Sequence, residues 1–318
     1  IGMFSGTDST SGVTNIWGKF NADDTFVIAD NTGSLVYSFT TNRKFRDSSA
    51  WLHFVVAVDT TQGTEANRVK IYVNGVQETS FSTSTYPSQN TDTLMGSGSS
   101  FEFVVSGWKG NNNQYFDGYL AEVVHIDGLQ LAPTSFGEFD EDSGIWKPKN
   151  VSGLTFGSNG FYLDFEDSAN LGNDANGGTD FTEANLAATD QMIDTCTKNF
   201  PTLNPLEGYS ANVGTNTYSQ GNLQVLTPSS GNGNTLSSIG VSSGKWYSEF
   251  YIKASSGVQR ALVGVSGDVG STLLAGNNMG SLSGALDVGY MGNDGDKFVS
   301  GSESSYGGSA FSNGDVIG

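Results

Sequence analysis

Between residues 69 and 77 the chain reads VKIYVNGVQ, and few stretches leave the backbone so little choice. Val69, Ile71 and Val73 fall on one side of an extended strand, with Arg68, Lys70 and Tyr72 on the other, the alternation of a half-buried strand. Asn74-Gly75 supplies the two positive φ angles of a type I′ turn, so the chain must fold straight back on itself. Just upstream, WLHFVVAVD (residues 51–59) places Leu52, Phe54, Val56 and Val58 on one face and Trp51, His53, Val55, Ala57 and Asp59 on the other. Both faces are mostly apolar, which predicts a central strand covered on both sides. Residues 51–77 therefore read as consecutive antiparallel strands of a meander.

The same grammar extends outward. TFVIAD and LVYSFTT, split by a turn at DNTGS, precede this stretch; FEFVVSGW and GYLAEVVHIDG, split by KGNNNQYFD, follow it. With 43 Gly and only 6 Pro among 318 residues, turns are frequent and the fold class is all-β. The expected architecture is two antiparallel β-sandwich (jelly-roll) domains joined by an ordered irregular strap. Residues 1–148 form the first sandwich, 149–207 the strap and 208–318 the second sandwich. The strap has room for one short helix at TEANLAATDQ and carries apolar anchors at Leu171, Phe181, Leu186, Met192 and Phe200, for which a free linker has no use. The first residues, IGMFSG, and the last, FSNGDVIG, read as cuts from a longer polypeptide.

Charge and cysteine content narrow the function. The formal net charge of −19 repels phosphate backbones and sets nucleic acid aside as a partner. It fits a solvated surface in a salty medium, or a chain that recruits divalent cations. Cys196 is the single cysteine, so no intrachain disulfide is expected, and no base for it stands nearby in the sequence. No apolar run approaches the roughly 20 residues of a membrane span.

Three sets of motifs carry resemblances. WLHFVVAVD, VKIYVNGVQ and FDGYLAEVVHIDGLQL resemble a laminin-G-like, concanavalin A-type jelly roll whose first strands would precede Ile1. The strap resembles a segment that follows such jelly rolls in structural proteins of marine bacteriophages, with Cys196 where a Pro is usual. SSGKWYSEFYI, ALVGVSG, VGYMGNDGDKF and FSNGDVIG resemble a SPRY domain. The combination implies a bacteriophage virion protein: a tail-fibre or appendage subunit, oligomeric, held among other virion proteins, that attaches to a host-surface glycan. A capsid-decorating or tail-stabilising role is the alternative, and a polysaccharide depolymerase a third.

No catalytic constellation is complete. Glycoside hydrolases with this type of sandwich carry E-x-D-x-x-E on one strand. EFDEDS has Glu138 and Asp140 but Ser143 where the second Glu belongs, and it sits in a Gly-flanked loop. His53 and His125 lie in strands with no nucleophile at a recognisable spacing and read as packed side chains. The expectation is a protein that is not an enzyme. Carbohydrate would meet the loop between two strands, where Trp108, Asn111, Asn112, Asn113, Gln114 and Tyr115 combine aromatic faces with amides that satisfy sugar hydroxyls. NDANGGTD offers Asn173, Asp174, Asn176 and Asp180 either to Ca²⁺ or to its own turns. The resemblance adds that such jelly rolls often hold Ca²⁺ near a binding rim.

Overall fold

The computed structural model describes residues 2–7, 14–47, 50–95, 101–108, 114–141, 144–192, 195–196, 200–210, 216–228, 233–253, 261–267, 288–299 and 302–318. Among these, helix is limited to short 3₁₀ turns. The chain divides into two compact units, residues 1–199 and 200–318. The described residues between 149 and 192 fall within the first unit.

In the first unit the strands are β1 (Gly2–Thr7), β2 (Thr14–Phe20), β3 (Thr25–Thr32), β4 (Leu35–Lys44), β5 (Phe54–Val58), β6 (Val69–Val73), β7 (Val76–Glu78), β8 (Phe81–Thr85), β9 (Glu102–Val105), β10 (Val123–His125), β11 (Gly137–Phe139), β12 (Trp146–Pro148) and β13 (Phe161–Leu163). A six-stranded sheet has the order β8-β4-β3-β2-β1-β9, and a three-stranded sheet the order β5-β6-β7. Ile16, Phe26, Ile28, Tyr37 and Phe39 from the larger sheet meet Val69 and Ile71 from the smaller one in a single buried cluster. Alternation makes this possible: each strand sends every second side chain inward, and the two inner faces interdigitate. Phe20, Phe26, Phe45 and Phe54 extend the cluster with mostly edge-on ring contacts, their centroids 4.7–5.8 Å apart.

The Asn-Gly turn is as expected, with φ of +49° at Asn74 and +77° at Gly75. Asn74 also ties the hairpin to β5: its backbone N–H donates to the His53 carbonyl at 2.8 Å, and its Oδ1 accepts the His53 N–H at 2.8 Å. The Trp146 indole, brought over the turn by the β11–β12 hairpin, leaves room only for glycine, since a Cβ on Gly75 would lie 2.3 Å from Trp146 Cζ3.

Three readings are corrected in this unit. β5 is covered on both faces but lies at an edge of its sheet, because its one partner is β6. The turn expected at Asp30–Ser34 is tighter: β3 runs on to Thr32, and Asp30 points into the core. Its side chain shares a face with Phe26 and Ile28, so the sandwich forces the carboxylate inward with them. In the strap, TEANLAATDQ yields only a 3₁₀ turn at Ala188–Asp190. Leu171 is buried and Phe181 packs edge-on against Phe161 at 4.7 Å, whereas Leu186 and Phe200 are exposed.

The second unit contains β14 (Leu203–Ser210), β15 (Thr217–Ser219), β16 (Gln224–Leu226), β17 (Gly233–Ser237), β18 (Phe250–Tyr251), β19 (Leu262–Val265), β20 (Val288–Met291), β21 (Lys297–Val299), β22 (Ser302–Ser304) and β23 (Val316–Ile317). Strands β19 to β22 form a four-stranded sheet in sequence order, and the others pair two by two. The long strand expected at KWYSEFYIKA contracts to Phe250–Tyr251, paired only with β23. Trp246, Tyr247 and Tyr251 are exposed there.

Candidate functional site

The loop singled out for carbohydrate leaves the six-stranded sheet at the end of β9, its edge strand. Ser106, with φ of +65°, turns the chain outward. Backbone bonds fasten both sides of the loop to β1 and β9: Ser106 N–H to the Met3 carbonyl at 2.7 Å, Gly2 N–H to the Gln114 carbonyl at 3.0 Å, and Phe116 N–H to the Ser106 carbonyl at 3.2 Å. Asn111, Asn112 and Asn113 lie outside the described residues. Trp108, Gln114 and Tyr115 lie within them, so the anchored base of the loop is what the structure defines.

Trp108 meets a second indole. Its ring lies 5.4 Å from that of Trp17, tilted by 53°, and Lys19 Nζ sits 5.3 Å from the Trp108 centroid. Trp17 and Lys19 alternate along β2 with Ile16, which is fully buried in the sandwich. They consequently project from the opposite, outer face of the sheet. Tyr115 is 61% exposed. Its ring passes 3.6 Å from the position a Cβ on Gly107 would take. Trp17 and Lys19 were not among the residues singled out from sequence, although the alternation of TNIWGKF was the available signal.

The acidic turn has a different construction. Asp174 is buried, and three backbone N–H groups converge on its carboxylate: Tyr162 and Asn176 on Oδ1 at 2.9 and 3.0 Å, and Gly178 on Oδ2 at 3.1 Å. Asp180 accepts the Asp174 N–H on Oδ1 at 3.0 Å and Asn170 Nδ2 on Oδ2 at 2.8 Å. Those bonds, the Asp174 N–H first, hold its carboxyl below the ordinary range. The structure thus brings Asp174, Asn176 and Asp180 together, with the carboxylate oxygens aimed at N–H donors, as in a stapled Asx turn. A different carboxylate group, Asp294, Asp296 and Glu303, is the one trio of acidic, histidine or cysteine ligands that converges among the described residues.

The histidines are packed. Trp146 Nε1–H donates to His53 Nδ1 at 2.9 Å, and the two rings stack. His125 lies against Phe103 and Phe161. Burial lowers the pKa of both imidazoles. In EFDEDS, Glu138 lies on β11 instead of in a loop and pairs with Lys149, and Asp140, just past the strand, pairs with Lys147. A carboxylate that sequence reasoning passed over is Glu122, which has φ of +56° and accepts the Tyr162 hydroxyl. Burial pushes its carboxyl up, the Tyr162 bond opposes this, and Asp164 and Glu166 add to the rise.

Residues 2–128 match the Laminin_G_3 family model, described as the Concanavalin A-like lectin/glucanases superfamily. Its name covers non-enzymatic lectins and glycosidases alike. No curated protein and no solved structure matches the chain.

Proposed function

We propose that residues 2–128 are a non-enzymatic carbohydrate-binding module, and that the chain is a subunit of a bacteriophage tail fibre or appendage that uses it to attach to host-surface glycan. The observation that carries the binding reading is the pair of indoles, Trp17 and Trp108, with Lys19 beside them on the outer face of the six-stranded sheet. An indole face is a rigid apolar platform for a pyranose ring, and it loses little entropy on binding. An ammonium and the nearby amides serve the hydroxyls. The sheet behind them is tightly cored, so the platform is preorganised. The virion assignment rests on the resemblance of the strap and of the SPRY-like stretches. It carries with it an oligomer held among other virion proteins, with capsid decoration as the architectural alternative.

A glycan array probed with the full chain tests the binding reading. Wild type is expected to bind a defined subset, and Trp108→Ala to weaken that binding by about 30-fold, the effect of truncating a central aromatic worth about 2 kcal/mol. Circular dichroism of the variant checks that the sandwich survives. Binding unaffected by Trp108→Ala and by Trp17→Ala contradicts the assignment of the platform.

A hydrolytic reading has one observation in its favour. Glu122, with its carboxyl raised by burial beside Asp164 and Glu166, has the character of a general acid next to carboxylates. Release of reducing ends from a polysaccharide, abolished by Glu122→Gln, would favour it over simple binding.

A further inference from the structure

The first unit buries a carboxyl and a hydroxyl that its fold does not satisfy. Asp30 and Tyr37 are directly opposite each other on β3 and β4, and both are 0% exposed. Asp30 Oδ2 accepts one hydrogen bond, from the backbone N–H of Leu94 at 2.9 Å. Among the described residues, Asp30 Oδ1 and the Tyr37 hydroxyl have no hydrogen-bond partner. An ionised carboxylate in that position has a single donor and an apolar surround, an arrangement that burial penalises heavily. A neutral acid keeps the Leu94 bond with far less desolvation.

Leu94 belongs to a segment, residues 86–95, that runs from the end of β8 toward β9. It is held at several points. Arg68 Nη1 donates to the Pro87 carbonyl, Asn90 N–H to the Thr60 carbonyl and Gln89 Nε2 to the Thr61 carbonyl. Those ties reach residues on either side of the loop between β5 and β6. The Leu94 side chain packs in the buried cluster with Ile16, Ile28 and Tyr37, and among the described residues the hydrogen bond that ties its backbone to the six-stranded sheet is the one to Asp30, linking residues 64 apart in sequence. We infer that Asp30 is a proton-controlled latch: as the neutral acid it holds residues 92–95 against β3, and its ionisation frees them. Water reaches the charge most easily by lifting this segment, because β2 pairs with β3 in unbroken register and β4 pairs with it on the other side, with register shifts between Thr25 and Val27 and between Asp30 and Asn31.

Among the described residues, the groups that face Asp30 are few. From β2 the opposite residue is Ile16, from β4 it is Tyr37, and from the segment itself it is Leu94. β6 contributes Val69, Ile71 and Val73 to the buried interior. Tyr37 is the one titratable side chain among them, and burial raises its pKa, so it stays neutral. Asp92 is exposed. Desolvation lifts the Asp30 carboxyl to about 6, against 3.8 in water, with the Leu94 bond opposing the rise. The latch is therefore closed in acid and released as pH rises through about 6. The freed segment is the lead-in to β9, at whose end Trp108 stands.

Amide hydrogen exchange of the full chain between pH 5 and 7.5, corrected for intrinsic rates, tests this. Protection of Leu94 and its neighbours is expected to fall about tenfold in wild type, the ratio for a carboxyl titrating near 6 when latched and near 3.8 when open. Asp30→Asn keeps the acceptor and removes the charge, so its protection should lack this tenfold fall. His53 and His125, whose pKa values burial lowers, are the same in both proteins and cancel in the comparison. Equal pH dependence in wild type and Asp30→Asn overturns the latch. So does a loss shared equally by β2 and β6, which would mean that the whole unit loosens. A ¹³C titration of the wild-type carboxyl gives a reading that needs no variant. Its midpoint should coincide with the inflection in Leu94 protection, and an Asp30 midpoint near 4 would also overturn the latch.

Discussion

Replacing Gly75 by Ala should destabilise the first unit by about 3–4 kcal/mol, and the size has two separable sources. The first is local. Gly75 has φ of +77°, and a Cβ in that region costs about 1–2 kcal/mol against the following carbonyl. The second is tertiary. The new Cβ would lie 2.3 Å from Trp146 Cζ3 and 2.5 Å from Cε3, so the indole must move. Movement sacrifices the Nε1–H bond to His53, worth about 1 kcal/mol, and ring contacts with His53 and Phe139 worth about 0.5–1.5 kcal/mol. Urea denaturation of wild type, Gly75→Ala, Trp146→Ala and the double variant separates the two. With the indole gone, Gly75→Ala should cost only the backbone share, giving a coupling energy of about 2 kcal/mol. A coupling below about 0.5 kcal/mol would refute the claim that the β11–β12 hairpin is clamped onto the Asn-Gly turn.

Other outcomes follow from the same geometry. Burial holds His53 and His125 below the usual 6.5, so their contribution to stability is complete above that pH and is lost as pH falls toward their folded pKa values. Melting temperature should therefore decline from pH 7 to pH 5 in an Asp30→Asn background, where the opposing carboxyl is absent, and His53→Gln should flatten part of the decline. Asp174→Ala strips the acceptor from three N–H groups and should cost about 2–4 kcal/mol in a denaturation experiment. Because those donors already face the carboxylate, EDTA should leave the melting temperature unchanged, and a fall restored by Ca²⁺ would favour the metal-ion reading. Glu122→Gln should preserve glycan binding, as measured on the array.

Much of the first unit was legible because its signals are local. Val69, Ile71 and Val73 alternate cleanly, and Asn74-Gly75 fixes the register of the hairpin. What the sequence hid was non-local. Nothing in TFVIAD or LVYSFTT says that β3 and β4 belong to a different sheet from β5 and β6, because that depends on β8 returning to β4 and β9 to β1. Asp30 looked like a turn residue since it precedes Asn31-Thr32-Gly33, yet its parity with Phe26 and Ile28 drives it inward. At the site, Trp108 and Tyr115 were visible as aromatics beside amides. The partner indole of Trp17 was not, as it comes from a strand some ninety residues earlier. The acidic turn was open to two readings, and the direction of its N–H groups could come only from coordinates.

The central claim is that a sugar-binding face works without cutting. Its most direct test is incubation of the full chain with a panel of purified bacterial surface polysaccharides, assaying retention and reducing ends together. The expected result is saturable retention of at least one polysaccharide, lost in the Trp17→Ala/Trp108→Ala variant, with no reducing ends released. Release of reducing ends by the wild-type chain, or retention that survives the loss of both indoles, would contradict it.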